Sequence, residues 1–142
     1  MTAILDVDPA DTEDPADTEP VLRRKRGGVS PTARTLAECR NRGWHAQVVE
    51  QTIPRTWIKR DLFGVIDIVA ITPTGILGIQ ATGGGHNAAR RDKILAEPRA
   101  LAWLQAGAAL AVWNWEKQGS RTKRKIWTLR EVVVTAAEFE GT

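Results

Sequence analysis

The stretch VIDIVAITPTGILGIQAT, residues 65–82, decides the fold of this chain. Two apolar runs, 65–71 and 76–82, flank a short segment that contains proline and glycine, and this pattern predicts two strands joined in a hairpin. The only charged side chain in the first run is Asp67. A carboxylate inside a buried strand is costly unless it is paired or bound to a cation, so Asp67 needs a chemical explanation.

The residues before the hairpin predict a helix followed by a strand. Ser30 suits the N-cap of a helix, Pro31 suits its first position, and Gly43 offers a left-handed residue at which the helix can end. Residues 44–50 then alternate between apolar and polar side chains, which is typical of a strand. This segment therefore predicts an α-β unit ahead of the hairpin.

The residues after the hairpin predict a long helical stretch and two more strands. The helical stretch covers 86–105 and is broken near Pro98, because proline interrupts a helix. Strands are predicted over 109–115 and 126–134. The whole order predicts an α/β fold with a mixed central β-sheet flanked by helices, in one domain that covers residues 30–142.

Charge is distributed unevenly along the chain. Residues 1–20 contain seven acids and no lysine or arginine, whereas the rest of the chain carries 20 basic and 10 acidic residues. Residues 8–19 repeat the acidic hexapeptide Asp-Pro-Ala-Asp-Thr-Glu. This repeat and the basic run 23–28 contain few large apolar groups, which predicts a disordered leader and linker over 1–29. The basic remainder favours a polyanionic partner such as a nucleic acid, because lysine and arginine release counterions from phosphates. A solvated basic surface is the alternative.

Composition also excludes several classes of protein. No apolar run approaches the roughly 20 residues that span a bilayer, and the acidic beginning differs from a secretory signal, so we expect a cytoplasmic protein without a membrane partner. The single cysteine, Cys39, and two histidines exclude an intrachain disulfide and a structural zinc site. The acidic leader is open to two interpretations, a solubilising segment or a mimic of nucleic acid that competes for the basic surface.

Asp67 and Gln80 are expected to lie side by side on the two strands of the hairpin. Mg²⁺ takes carboxylate, amide and carbonyl oxygens as ligands, so this pair predicts a magnesium site. The alternative is that Arg60 or Lys59 neutralises Asp67. Asp61 also has two interpretations, as an outer ligand of the ion or as the ion-pair partner of a nearby arginine.

The residues around the hairpin resemble the PD-(D/E)XK nuclease superfamily over roughly residues 30–130. The core of that family is a helix with a glutamate, then a hairpin with an aspartate followed by (D/E/Q)-x-Lys, then a helix and further strands. Glu38 matches the helix glutamate, Asp67 the strand aspartate, and Gln80-Ala81-Thr82 the last element. The sequence from Arg60 to Asp67 resembles that of phage-type members of this superfamily. The resemblance implies a restriction-endonuclease-like core.

The resemblance also implies an activity and a set of metal ligands. The activity is Mg²⁺-dependent hydrolysis of phosphodiester bonds, with Mn²⁺ as a substitute, by a structure-specific endonuclease of a phage or mobile element in the host cytoplasm. The expected substrate is DNA that is branched, single-stranded or double-stranded. The family includes Holliday junction resolvases and many dimeric members, so a homodimer is a further expectation. The implied metal ligands are Asp67, Gln80, the Ala81 carbonyl, Glu38 and Asp61.

One position departs from the family, because Thr82 stands where the family has the lysine that orients or activates the attacking water. Arg90 and Lys93 on the following helix are the candidates for the missing cation, since helical side chains lean toward the N-terminus and back to the hairpin. Arg90 is the nearer candidate. A nuclease-fold protein that binds DNA without cleaving it is the main alternative, and an interaction protein with a host enzyme is another.

Further residues are predicted to contact the nucleic acid. Trp57 lies in a basic segment, where it can stack on an unpaired base or wedge into a junction. The glycine run 83–85 lets the backbone approach a phosphate, and the N-terminus of the next helix favours an anion. The predicted contact residues are Trp57, Lys59, Arg60, Gly84, His86, Arg91, Arg121 and Lys123.

Overall fold

The fold is that of a computed structural model, which describes residues 28–119 and 126–140. The leader and linker predicted over 1–29 lie almost wholly outside the described residues. None of the helices in the described part of the chain is long and apolar enough to cross a bilayer. The elements in chain order are α1 (Pro31–Asn41), β1 (His45–Val48), β2 (Gln51–Ile53), β3 (Ile58–Arg60), β4 (Ile68–Thr72), β5 (Gly75–Gly83), α2 (Asn87–Leu95), α3 (Pro98–Gln105), β6 (Ala109–Gln118), β7 (Ile126–Val134) and α4 (Ala136–Glu140).

Five strands form one mixed sheet in the order β1-β4-β5-β6-β7. β5 and β6 run parallel, and the other neighbours run antiparallel. The parallel pair requires a crossover, which α2 and α3 provide. β2 and β3 form a separate antiparallel hairpin. The predicted α/β fold, with a mixed central sheet and flanking helices, is confirmed.

Apolar side chains cover both faces of the sheet. On one face, Cys39 of α1 belongs to a buried cluster with Ile79 and Trp113. On the other face, Ile94 of α2 and Ala100 of α3 belong to a second buried cluster. Each large apolar side chain that is fully buried contributes roughly 2 kcal/mol to the stability of the fold. The sheet is therefore fixed between two helical layers.

Local capping signals agree with the helix boundaries. The Ser30 hydroxyl accepts a hydrogen bond of 3.1 Å from a backbone N–H in the first turn of α1, and Pro31 is the first residue of that helix. The Glu97 carboxylate caps α3 in the same way, and Pro98 begins that helix. The break predicted near Pro98 is confirmed.

Several boundaries differ from the sequence-based prediction. The strand predicted from residue 65 begins at Ile68, because Leu62 and Ile66 form an isolated bridge around a tight turn. β6 continues to Gln118 instead of opening a loop at residue 116, since its last residues still pair with β7. The β2–β3 hairpin occupies the basic segment around Trp57, for which no strand was predicted. The short helix α4 was not predicted.

Candidate metal centre

Three carboxylates converge beside the start of β4. Glu50 directly precedes β2, Asp61 directly follows β3, and Asp67 directly precedes β4. One carboxylate oxygen from each of the three side chains lies within 4.8 Å of the others. Asp67 is 5% exposed, whereas the other two carboxylates are partly exposed. The cluster is therefore reachable from solvent on one side and buried on the other.

Backbone pairing places Asp67 next to Glu50. The Asp67 N–H donates to the Ile79 carbonyl at 2.9 Å, and the Asp67 carbonyl accepts from the Val49 N–H at 2.8 Å. These two bonds extend the pairing of β4 with both neighbours by one residue. Because Val49 is the residue before Glu50, the same pairing brings the Glu50 carboxylate to Asp67.

A tight turn over residues 61–66 brings Asp61 beside Asp67. The Gly64 N–H donates to the Asp61 carbonyl at 2.9 Å, and the Leu62 N–H donates to the Ile66 carbonyl at 2.8 Å. Gly64 has a φ of 77°, a left-handed conformation that glycine adopts without a steric penalty. The turn therefore folds the chain back, so that a residue at the end of β3 faces a residue at the start of β4.

Gln80 contacts Asp67 directly, as the hairpin pattern predicted. The Asp67 Oδ2 accepts hydrogen bonds from Gln80 Nε2 at 2.8 Å and from the Ala81 N–H at 2.9 Å. Among the described residues, neither Lys59 nor Arg60 pairs with Asp67. Gln80 is 2% exposed, and its Oε1 has no hydrogen-bond partner among the described residues. A buried acceptor without a donor costs roughly 1–3 kcal/mol, and the Nε2 of Gln80, not this oxygen, faces the carboxylates.

The surroundings of Asp67 disfavour the charged form of its carboxyl group. Burial raises the pKa of Asp67 to about 8, and the hydrogen bond and negative charge of Asp61 and the charge of Glu50 act in the same direction. The Ala81 N–H opposes the shift, because it stabilises the ionised carboxylate. Near neutral pH the buried carboxyl therefore holds a proton, and a cation that binds the cluster must displace it.

The two candidate cations of α2 contact different groups. Lys93 Nζ lies 3.7 Å from Asp61 Oδ2, so this lysine is at the carboxylate cluster. Arg90 Nε donates to Thr82 Oγ1 at 3.4 Å. Thr82 is 4% exposed. Lys93, and not Arg90, is thus the α2 cation that pairs with a carboxylate of the cluster, although Arg90 is nearer to it along the chain.

Glu38 does not join the cluster. Its carboxylate accepts from Arg42 Nε at 2.9 Å, and Arg42 also binds Glu131 at 2.7 Å. α1 packs on the sheet face opposite α2 and α3. The third carboxylate beside Asp67 is Glu50, which the sequence interpretation did not select. The sequence feature that could have indicated Glu50 is its position, as an acid, at the end of the predicted first strand.

Five of the residues predicted to contact nucleic acid are exposed to solvent. Trp57, Lys59 and Arg60 are exposed on the β2–β3 hairpin. Gly84 and His86 are exposed in the turn that leads into α2. The β2–β3 hairpin joins the cluster at both of its ends, so the first three residues belong to a segment that is continuous with the site.

The other three predicted contact residues differ in their positions. Arg91 of α2 forms an ion pair with Glu138 of α4, so its guanidinium ties two helices together. Arg121 and Lys123 lie outside the described residues. Arg91 therefore has a structural role in addition to any contact with a phosphate.

The cluster consists of three carboxylates and the neighbouring side-chain amide of Gln80. Carboxylate and amide oxygens are the ligands that Mg²⁺ and similar ions prefer. No protein-family model, no curated protein and no solved structure matches this chain.

Proposed function

We propose that this chain is a divalent-metal-dependent nuclease that hydrolyses phosphodiester bonds in DNA, with a restriction-endonuclease-like core. The observation that carries the proposal is the convergence of Glu50, Asp61 and Asp67, three residues at the ends of strands, beside Gln80 of β5. Asp67 and Gln80 also follow the chain order of the PD-(D/E)XK motif. The proposed ion is Mg²⁺, with Mn²⁺ as a substitute, and the proposed substrate is branched or otherwise irregular DNA.

The residues of the cluster fit a divalent cation. Among the described residues, Lys93 is the one cation that pairs with these three carboxylates, so this part of the cluster has an excess of negative charge. Gln80 Oε1 is buried and has no partner in the described part of the chain. The Gln80 Nε2 now faces the Asp67 carboxyl. Rotation of the amide by about 180° puts the Oε1 in the position of the Nε2, so that an oxygen faces the cluster. The Ala81 carbonyl, which the family resemblance implies as a ligand, stays a prediction.

The chain's own residues supply the rest of the proposed chemistry. When bound, a divalent cation polarises the scissile phosphate and acidifies a water molecule beside it. Lys93, oriented by Asp61, presents positive charge where the negative charge of the phosphate increases. Arg90, held at Thr82, has further N–H groups that can donate to a phosphate oxygen. These two cations replace the family lysine that is absent at position 82.

Cleavage assays test the proposal. The purified chain is incubated with a four-way junction, a flap and a linear duplex, each with Mg²⁺ or Mn²⁺. We expect cleavage by the wild type, and a loss of roughly 100- to 1,000-fold for Asp67→Asn, on the scale found when one charge-stabilising group is removed. Asp92→Asn, which neutralises an exposed carboxylate on α2, is the matched control. The proposal fails if no substrate is cut with either ion.

A second function has one observation in its favour. Thr82 is buried and contacts Arg90 at the position where the family has its lysine. This substitution favours a protein that binds DNA on a nuclease fold without cutting it. Such a protein binds DNA in a salt-sensitive way that neither Mg²⁺ nor Asp67→Asn alters. The cleavage assay, repeated as a binding assay in EDTA, separates the two functions.

A further inference from the structure

The β2–β3 hairpin is an arm whose two ends are at the carboxylate cluster. Its strands pair from Gln51↔Arg60 at the root to Ile53↔Ile58 near the tip. Glu50 is the residue before the root on one strand, and Asp61 is the residue after it on the other. Anything that the arm binds is therefore held at a set distance from two of the three carboxylates.

The arm presents basic and aromatic side chains to solvent. Every residue of 51–60 except Ile53 is exposed, and Trp57 at the tip is 91% exposed. The segment carries Arg55, Lys59 and Arg60 and no acid. A tryptophan this exposed contributes little to the core, so its ring is available to a partner. Aromatic rings among cations are the groups with which proteins bind unpaired bases.

The turn at the tip holds this arrangement. Thr56 Oγ1 donates to the Ile53 carbonyl at 2.8 Å and accepts from the Ile58 N–H at 3.1 Å. Arg55 and Trp57 have φ values of 67° and 62°, in the left-handed region that glycine and asparagine adopt far more readily. Such conformations persist where the surrounding structure fixes them, and they cluster at functional sites. The tip is thus shaped to carry a large ring outward.

We propose that the arm binds an unpaired base at the boundary between single-stranded and double-stranded DNA, with Trp57 stacked on the base and Lys59 and Arg60 on the flanking phosphates. Trp57 is four positions before Asp61, so the Cα atoms of these two residues lie about 13 Å apart at roughly 3.3 Å per residue. That length equals about four steps of 3.4 Å along a strand. The position of the cut rests on the proposed nuclease function, whereas the stacking contact does not.

Binding without a divalent ion tests the stacking contact. Fluorescence anisotropy in EDTA compares the affinity of the full chain for a forked duplex with its affinity for a fully paired duplex of the same length. We expect the wild type to prefer the fork. We expect Trp57→Ala to weaken fork binding by roughly 5- to 150-fold, the loss of one stacked ring, and to change duplex binding by less than about twofold. Trp57→Phe, which keeps a ring, is expected to retain most of the preference.

Trp127→Ala is the control for losing an exposed tryptophan, since Trp127 on β7 is 39% exposed and lies outside the arm. Circular dichroism checks that each variant is folded. Equal affinity of the wild type for fork and duplex overturns the inference, as does an equal effect of Trp57→Ala and Trp127→Ala on fork binding. Uniform weakening of fork and duplex by Trp57→Ala also overturns it, because that result indicates a contact with the backbone alone.

Mapping of the cut separates this inference from the nuclease proposal. If both hold, the wild type cuts about four nucleotides from the boundary, and Trp57→Ala scatters the cuts. A chain that never cuts but prefers forks through Trp57 supports the arm and refutes the nuclease. A chain that cuts, with fork binding unaffected by Trp57→Ala, refutes the arm alone.

Discussion

Replacing Asp67 by asparagine is expected to make the ion-free protein more stable, and increasingly so as the pH rises. Burial and Asp61 raise the pKa of Asp67 to about 8 from an ordinary value of 3.8. The folded chain therefore binds a proton that the unfolded chain has released between about pH 4 and pH 8, so the free energy of unfolding falls as the pH rises through this window. Asparagine keeps the size of the side chain and can accept the bond from the Ala81 N–H.

The magnitude follows from the pKa difference. One pKa unit corresponds to 1.36 kcal/mol, so the advantage of Asp67→Asn over the wild type grows by up to about 4 kcal/mol between pH 5 and pH 8. Urea denaturation in EDTA at several pH values measures this difference directly. Asp92→Asn is the control, because it changes an exposed carboxylate on the neighbouring helix. A constant difference between Asp67→Asn and the wild type across the pH range refutes the reasoning.

Three other substitutions test separate parts of the site and fold. Glu50→Gln is expected to reduce Mg²⁺-dependent cleavage more than Glu38→Gln, since only Glu50 lies at the cluster; the reverse order in a cleavage assay contradicts this. Lys93→Gln is expected to lower the cleavage rate by roughly 100-fold with little change in DNA affinity, whereas equal losses of rate and affinity indicate a binding role alone. Gly78→Ala is expected to destabilise the fold by about 1–3 kcal/mol in urea denaturation, because its new methyl carbon meets an Ile66 carbon at 2.9 Å; unchanged stability argues against this packing.

The parts of the fold that depend on local pattern could be predicted from the sequence. The β4–β5 hairpin follows from two apolar runs around a Pro-Gly turn, and the adjacency of Asp67 and Gln80 follows from that hairpin. The start of α1 follows from Ser30 and Pro31. In each case the signal lies within a few residues of the structure that it determines, so no knowledge of tertiary packing was needed.

The parts that depend on long-range pairing could not be predicted. Glu50 reaches the cluster because β1 pairs with β4 in one register, Val48 opposite Ile68, which no local pattern specifies. The strands of the arm have three residues each and largely exposed side chains, so they lack the apolar alternation that indicates a strand. Glu38 was selected from its position in a motif, but pairing with Arg42 one helical turn away takes its carboxylate elsewhere.

The most direct test of the central claim, that the carboxylate cluster is a divalent-metal centre, is a Mn²⁺ titration followed by electron paramagnetic resonance. We expect one Mn²⁺ per wild-type chain, with an affinity that falls as the pH is lowered from 8 to 6, because protons compete for Asp67. We expect Asp67→Asn to lose this binding and Asp92→Asn to keep it. Equal Mn²⁺ binding by the wild type and Asp67→Asn would contradict the assignment of the site.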